Sequence, residues 1–106
     1  MDKKLLVKQL PSYFDALKTY GINVTRAELY PAEWRGHYTL ALSADWKNLD
    51  GFEKFRVLRR KLTETLTHEI GQYVLNLYTY NTPEEMEAEM ELLTQYQTPV
   101  GESLLV

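Results

Sequence analysis

Cysteine is absent from this 106-residue sequence, and histidine occurs only twice, at His37 and His68. Without cysteine the chain has no disulfide framework, no thiol nucleophile and no thiolate ligands for zinc or an iron–sulfur cluster. Two histidines supply few nitrogen ligands. The sequence therefore predicts neither a metal site nor a bound cofactor.

Long apolar runs and an excess of positive charge are also lacking. No segment approaches the roughly 18 apolar residues that a membrane span requires, and Leu5-Leu6-Val7 is too short for the core of a signal peptide. We therefore expect a cytoplasmic protein with no membrane partner. The formal net charge of −3 argues against a protein that coats nucleic acid by bulk electrostatics.

The remaining composition is that of an ordinary globular domain. Hydrophobic residues make up 44% of the chain and charged residues 25%, so one core can offset the entropy of ordering the chain. Tyrosine is in excess, with eight residues against three phenylalanines and two tryptophans. We predict a single domain over residues 1–106, in which residues 97–106 form a C-terminal tail.

Two predicted helices lie near the ends of the chain. Residues 3–20 form the first, which Gly21 ends. The last begins at Thr82-Pro83, a threonine cap followed by proline at the first helical position. The expected apolar stripes are Leu6, Leu10, Phe14 and Leu17 in the first helix, and Met86, Met90 and Leu93 in the last.

The middle of the chain contains the longest helical signal, over residues 50–70. Asp50 is placed to cap its first turn, Glu53 follows at capping-box spacing, and Gly71 ends it. The stripe that we expect this helix to bury is Phe52, Phe55, Leu58 or Arg59, Leu62, Leu66 and Ile70.

Three segments rich in β-branched and aromatic residues predict strands at 22–30, 37–46 and 72–80. Apolar and polar residues alternate along 37–46, which indicates a half-buried strand that forms an antiparallel hairpin with the first. The helix over 50–70 connects the second and third strands by a right-handed crossover. The order helix–strand–strand–helix–strand–helix predicts an α+β fold with a mixed three-stranded sheet and helices mainly on one face.

Positive charge is concentrated in the middle helix. The cluster consists of Lys54, Arg56, Arg59, Arg60 and Lys61. It is compatible with a surface that binds phosphate groups or an acidic partner, although a solvated helix face is the more common explanation of such a cluster. The candidate binding residues in it are Lys54, Arg56, Arg60 and Lys61.

The loop before the second strand holds three further candidate binding residues, Trp34, Arg35 and His37. A partly exposed histidine beside a loop aromatic can bind a ligand or transfer protons, although a lone histidine in a hairpin is more often structural. A small enzyme would use His37 together with Asp45 or Glu33. No catalytic motif is present, so we assign no catalytic residue.

Several short motifs resemble those of the BolA-like proteins, small domains with a fold related to type II KH domains. They are a strand that opens with His37-Tyr38, the run Ser43-Ala44-Asp45, an arginine-rich helix entered near Gly51, and a strand that runs into Thr82-Pro83-Glu84-Glu85. The resemblance implies the same order of elements. That family ligates an iron–sulfur cluster, shared with a monothiol glutaredoxin, through a histidine at the start of the third strand. This chain has Tyr73 there, so we expect no cluster.

The functional hypothesis is a non-enzymatic binding or adaptor domain that associates with itself or with a protein partner. Oppositely charged helices, a tyrosine-rich sheet and an apolar tail each offer a contact. One alternative is a small enzyme or ligand-binding protein with its site near residues 31–37. A further alternative is nucleic-acid binding through the helix at 50–70. Because the chain lacks the Gly-x-x-Gly loop of KH domains, that binding would be weak and salt-sensitive.

Overall fold

A computed structural model describes residues 3–46, 49–95 and 102–104, with the backbone alone for Met90 and for residues 92–95 and 102–104. The elements in chain order are α1 (Lys3–Tyr20), β1 (Asn23–Pro31), β2 (Tyr38–Asp45), α2 (Gly51–Thr65), α3 (His68–Gly71), β3 (Val74–Tyr80), α4 (Pro83–Gln95) and β4 (Glu102–Leu104). The predicted α+β class and the predicted order of the long elements are confirmed. Within the described residues, no helix is long and apolar enough to cross a bilayer.

The sheet is mixed, and its strands lie side by side in the order β3-β2-β1-β4. β1 and β2 form the predicted antiparallel hairpin, and β3 lies parallel to β2 after the crossover through α2. β4 pairs antiparallel with β1, and its three residues come from the predicted tail at 97–106. It was not predicted, because so short a segment has no measurable periodicity. The rest of that tail lies outside the described residues.

The main core lies between one face of the sheet and the helices α1 and α2. The predicted stripe of α1 is confirmed, since Leu6, Leu10, Phe14 and Leu17 are all buried. The sheet residues packed against them are Ala27, Leu29, Leu40, Leu42, Ala44, Val74 and Leu77. Burying a side chain of leucine size contributes about 1.5–3 kcal/mol, so this layer is the main source of stability.

The predicted caps are both present. The backbone N–H of Glu53 donates to Asp50 Oδ1 at 2.8 Å, which fixes the start of α2. The N–H of Glu85 donates to Thr82 Oγ1 at 3.1 Å at the start of α4. These side chains satisfy backbone donors that a helix leaves free in its first turn.

The single helix predicted over 50–70 is wrong, because the chain breaks it near Leu66. Leu66 has an extended backbone with φ −97° and ψ 149°, and Thr67 then caps the separate helix α3. The Thr67 hydroxyl accepts a hydrogen bond from the N–H of Ile70 at 3.3 Å. A threonine side chain that bonds to nearby backbone competes with helix continuation, and here it starts a new helix.

The half-buried character predicted for the second strand is also wrong, because β2 is buried on both faces from Thr39 to Ala44. α4 packs on the sheet face opposite α1 and α2. Its Met86 is buried there in a small cluster with Tyr30, Ala41 and Tyr80. The helices are therefore divided between the two faces, with α1 and α2 on one and α4 on the other.

The face under α4 is polar at its centre, and its side chains are paired. The carboxylate of Glu28, which is 4% exposed, accepts hydrogen bonds from Arg26 at 3.0 Å and from the Tyr30 hydroxyl at 2.7 Å. Burial and the bond to Glu28 raise the pKa of Tyr30 well above its usual range. Burial, together with the Glu89 carboxylate, raises the pKa of Tyr80 to about 12. Both tyrosines therefore stay protonated at neutral pH and act as donors.

Candidate binding surface

The hairpin loop brings Trp34, Arg35 and His37 together. Gly36 adopts a positive φ of 81°, which lets the chain reverse, and the His37 N–H donates to the Trp34 carbonyl at 3.0 Å. The His37 ring lies edge-on to Trp34, with centroids 5.9 Å apart, and 5.2 Å from the ring of Tyr73. Its Nδ1 lies 3.3 Å from the Arg35 carbonyl. His37 is thus held by a carbonyl and two rings.

Asp45, one of the two carboxylates considered as a partner for His37, lies far from it. His37 precedes the first residue of β2, while Asp45 is the last residue of that strand. With a rise of about 3.3 Å per residue, the two lie about 25 Å apart. Glu33 is exposed in the loop. Two clefts formed by the described residues lie elsewhere, one lined by Trp46 and the other by His68.

The basic cluster is spread over more than one side of α2. Arg60 and Lys61 both pair with Glu64 on their own helix, at 3.8 and 3.1 Å. Arg56 is exposed and has no ion-pair partner within the described residues. Lys54 lies on another side of α2, 5.4 Å from the ring of Trp46. The candidate phosphate contacts are therefore dispersed over the helix, and most of them are already paired locally.

Lys54 lines the larger cleft, which lies at the carboxyl ends of the parallel strands β2 and β3. The cleft has a volume of about 370 Å³ and is also lined by Asp45, Trp46 and Asn81. Lys54 Nζ donates to Asn81 Oδ1 at 3.3 Å, and the Trp46 indole N–H donates to the Tyr80 carbonyl at 2.8 Å. Lys54, Asn81 and Trp46 therefore each have a hydrogen-bond partner within the protein.

Arg59, the one member of the cluster not proposed as a binding residue, has the clearest structural role. Its guanidinium donates to the carbonyls of Val74 and Leu75 at 2.9 and 2.8 Å. These are the first two residues of β3, an edge strand of the sheet. Edge strands present unpaired backbone groups, and Arg59 satisfies two of them.

Beyond Leu75, the outer edge of β3 lacks two of the usual protections against pairing with another strand. Charged side chains and proline are the common protective features of edge strands, and residues 72–80 contain neither. Among the described residues, no strand lies on this side of β3, whereas β4 lies against β1 at the opposite edge. The stretch from Asn76 to Tyr80 is therefore an uncharged strand edge.

Three exposed aromatic side chains belong to β3 and to α2, the helix that contacts it. Phe52 and Phe55 of α2 are 73% and 48% exposed, and Tyr78 of β3 is 47% exposed. The Arg59 guanidinium connects α2 to the strand, because it lies 5.6 Å from the Phe55 ring and also bonds to the start of β3. We call residues 76–80 together with Phe52 and Phe55 the β3 edge patch.

The burial predicted for Phe52 and Phe55 is wrong, because the two side chains are exposed. Leu58, Leu62 and Leu66 are buried at steps of four. One further step of four towards the N-terminus reaches Lys54 rather than Phe55, and Lys54 does lie against Trp46. A step of three from Leu58 reaches Phe55 and fits a helical stripe as well, so the exposure of Phe55 follows from how α2 packs on the sheet.

Comparisons with known proteins give no relative. No protein-family model, no curated protein and no solved structure shows a significant match to this chain. The resemblance to BolA-like proteins therefore stays a prediction. Within the described residues, no group of three histidine, aspartate or glutamate side chains is placed to hold a metal ion.

Proposed function

We propose that this protein is a non-enzymatic binding domain, and that its binding surface is the β3 edge patch. The observation that carries the proposal is the coincidence of an unprotected strand edge with three exposed aromatic side chains. The predicted loop and basic-cluster residues do not meet at this surface. A cytoplasmic location, inferred from the sequence, is part of the same proposal.

The surface suits recognition by strand addition. In this mode an extended partner segment joins the sheet, its main-chain hydrogen bonds supply affinity, and pockets for alternate side chains supply specificity. Asn76–Tyr80 would supply the backbone groups. Phe52 and Phe55 on one side, and Tyr78 on the other, would cover the added strand, because aromatic residues are common anchors in interfaces.

The chemistry of the patch defines the class of partner. An acidic or basic segment would gain little from residues 72–80, which carry no charge. An extended segment rich in β-branched and aromatic residues would pair well with Leu77 and Tyr78 across the strands. We therefore propose a protein partner that presents an uncharged strand.

The test is a comparison of three immobilised proteins: the unmodified chain, Tyr78→Lys and Tyr20→Lys. Tyr20 is a matched control because it is also 47% exposed and lies on α1. After incubation with total soluble protein, retained proteins are identified by mass spectrometry. We expect the unmodified chain and Tyr20→Lys to retain the same set, and Tyr78→Lys to lose it. The proposal fails if Tyr78→Lys retains that set undiminished.

Nucleic acid is not expected to bind tightly. Lys61 and Arg60 pair with Glu64, so Arg56 is the cluster residue left most open to a phosphate. The expected dissociation constant at about 0.15 M salt is weaker than about 1 µM, as for non-specific binding. Fluorescence anisotropy with a mixed-sequence single strand and a duplex measures it. Submicromolar affinity that is lost when Arg56, Arg60 and Lys61 become glutamine would contradict this expectation.

A further inference from the structure

We infer that the β3 edge patch binds β3 of a second copy of this chain, in antiparallel pairing about a two-fold axis near Tyr78. This inference rests on the proposed function and names the partner at the same surface. The two four-stranded sheets would then form one continuous sheet. Three features of the patch support a second copy: the register that Arg59 allows, the symmetry of the aromatics, and the absence of charge on the strand.

Arg59 sets the register. It occupies the carbonyls of Val74 and Leu75, so the part of the strand open to pairing begins at Asn76. β3 ends at Tyr80. The midpoint of Asn76–Tyr80 is Tyr78, and an antiparallel pair centred there places Asn76 of one copy opposite Tyr80 of the other. In this register, no pairing residue needs the Val74 or Leu75 carbonyl, to which Arg59 is already bonded.

Two-fold symmetry then brings the exposed aromatics of the two copies together. Antiparallel pairing of two identical edges places the axis perpendicular to the sheet, so each face of one copy continues as the same face of the other. The α2 helices of both copies would lie on the same face of the continuous sheet, with Phe55 of one copy beside Phe55 of the other. Tyr78 would lie beside its counterpart at the axis, on the face that carries Tyr80 and α4. Cross-strand aromatic pairs of this kind are stabilising.

The strand itself brings no like charges to the axis, and the charges near Phe55 include Arg56 and Arg59 on α2. A symmetric interface brings identical residues together, so any charged residue near the axis would face a like charge. Residues 72–80 carry none. Because the two-fold contact uses the same edge of both copies, the pairing through β3 closes into a dimer and does not extend into a filament.

The experiment measures the molar mass of the purified chain by sedimentation equilibrium at concentrations up to about 200 µM. We expect a reversible rise from the monomer mass of 12.5 kDa towards twice that value. Tyr78→Lys places two ammonium groups together at the axis, and Phe55→Ser removes the aromatic contact on the other face. Each is expected to weaken dimerisation at least tenfold. The matched control Tyr20→Lys should dimerise like the unmodified chain, and thermal melts must show that every variant is folded.

The register is tested separately by cross-linking, which is simple because the chain has no cysteine. Tyr78→Cys should form an intermolecular disulfide on mild oxidation, because residues directly opposite in an antiparallel pair lie within disulfide distance. Tyr20→Cys should not.

A chain that stays monomeric at the highest concentration would overturn the inference. A folded Tyr78→Lys variant that dimerises as well as the unmodified chain would also overturn it. If such a monomer still retains other proteins in a Tyr78-dependent way, the inference fails and the proposed function stands.

Discussion

Replacing Tyr13 by alanine is expected to lower the free energy of unfolding by about 3–5 kcal/mol, the usual range for a buried aromatic residue. Tyr13 is fully buried in the main core. Its hydroxyl donates to the carbonyl of Leu58 at 3.1 Å, so it links α1 to α2 across the core. Small domains are stable by only about 5–15 kcal/mol, so this change removes a large part of the total.

Urea denaturation followed by tryptophan fluorescence measures this loss, with the buried Trp46 as the reporter. Tyr13→Phe keeps the ring and removes only the hydrogen bond, so its expected cost is about 1 kcal/mol. Tyr20→Ala, on the same helix, removes an exposed ring that lies 5.6 Å from the Lys61 ammonium, and it should cost less than about 1 kcal/mol. If Tyr13→Ala and Tyr20→Ala lowered the free energy of unfolding equally, the core would not be organised around Tyr13.

Replacing Arg59 by alanine is the second change with a large expected effect. It removes both hydrogen bonds to the Val74 and Leu75 carbonyls, and we expect a loss of about 1.5–3 kcal/mol, as for hydrogen bonds to a charged group. It also leaves the whole outer edge of β3 unprotected, which should increase self-association. Arg59→Lys should recover only part of the loss, because an ammonium cannot reproduce the planar fork of guanidinium donors.

Arg60→Ala is the matched control, because it removes the same side chain one residue further along α2. The Arg60 side chain is 60% exposed and its ion pair with Glu64 spans 3.8 Å, so its loss should cost at most about 0.5 kcal/mol. Chemical denaturation gives the stabilities, and light scattering gives the association. A folded Arg59→Ala with unchanged stability would mean that the edge carbonyls are satisfied equally well by water.

Local signals in the sequence predicted the element order well. Asp50 and Thr82 cap the helices that they were expected to cap, and Gly21, with a φ of 105°, ends α1. Such features depend on a few neighbouring residues, so the sequence carries them directly. The break at Leu66 and Thr67 was missed, because the apolar stripe continues through it.

Features that depend on tertiary arrangement were not predictable in the same way. The burial of β2 on both faces follows from where α4 packs, and alternation along β2 does not reveal it. The candidate surface was missed for a related reason. Charge and histidine drew attention to Lys54, Arg56 and His37, while the exposure of Phe52 and Phe55 depends on which face of α2 meets the sheet.

The pairing of β4 with β1 has a consequence for the chain as it is made on the ribosome. Ala27 pairs with Leu104, so the two partners lie far apart in sequence. Domains begin to fold as they emerge, and the hairpin of β1 and β2 can form early because its contacts are local. The outer edge of β1 nevertheless has no neighbouring strand until residue 104 has emerged. A nascent chain that already contains β3 therefore exposes both edges of its sheet. A stall in synthesis before β4 prolongs the interval in which neighbouring nascent chains can pair with these edges.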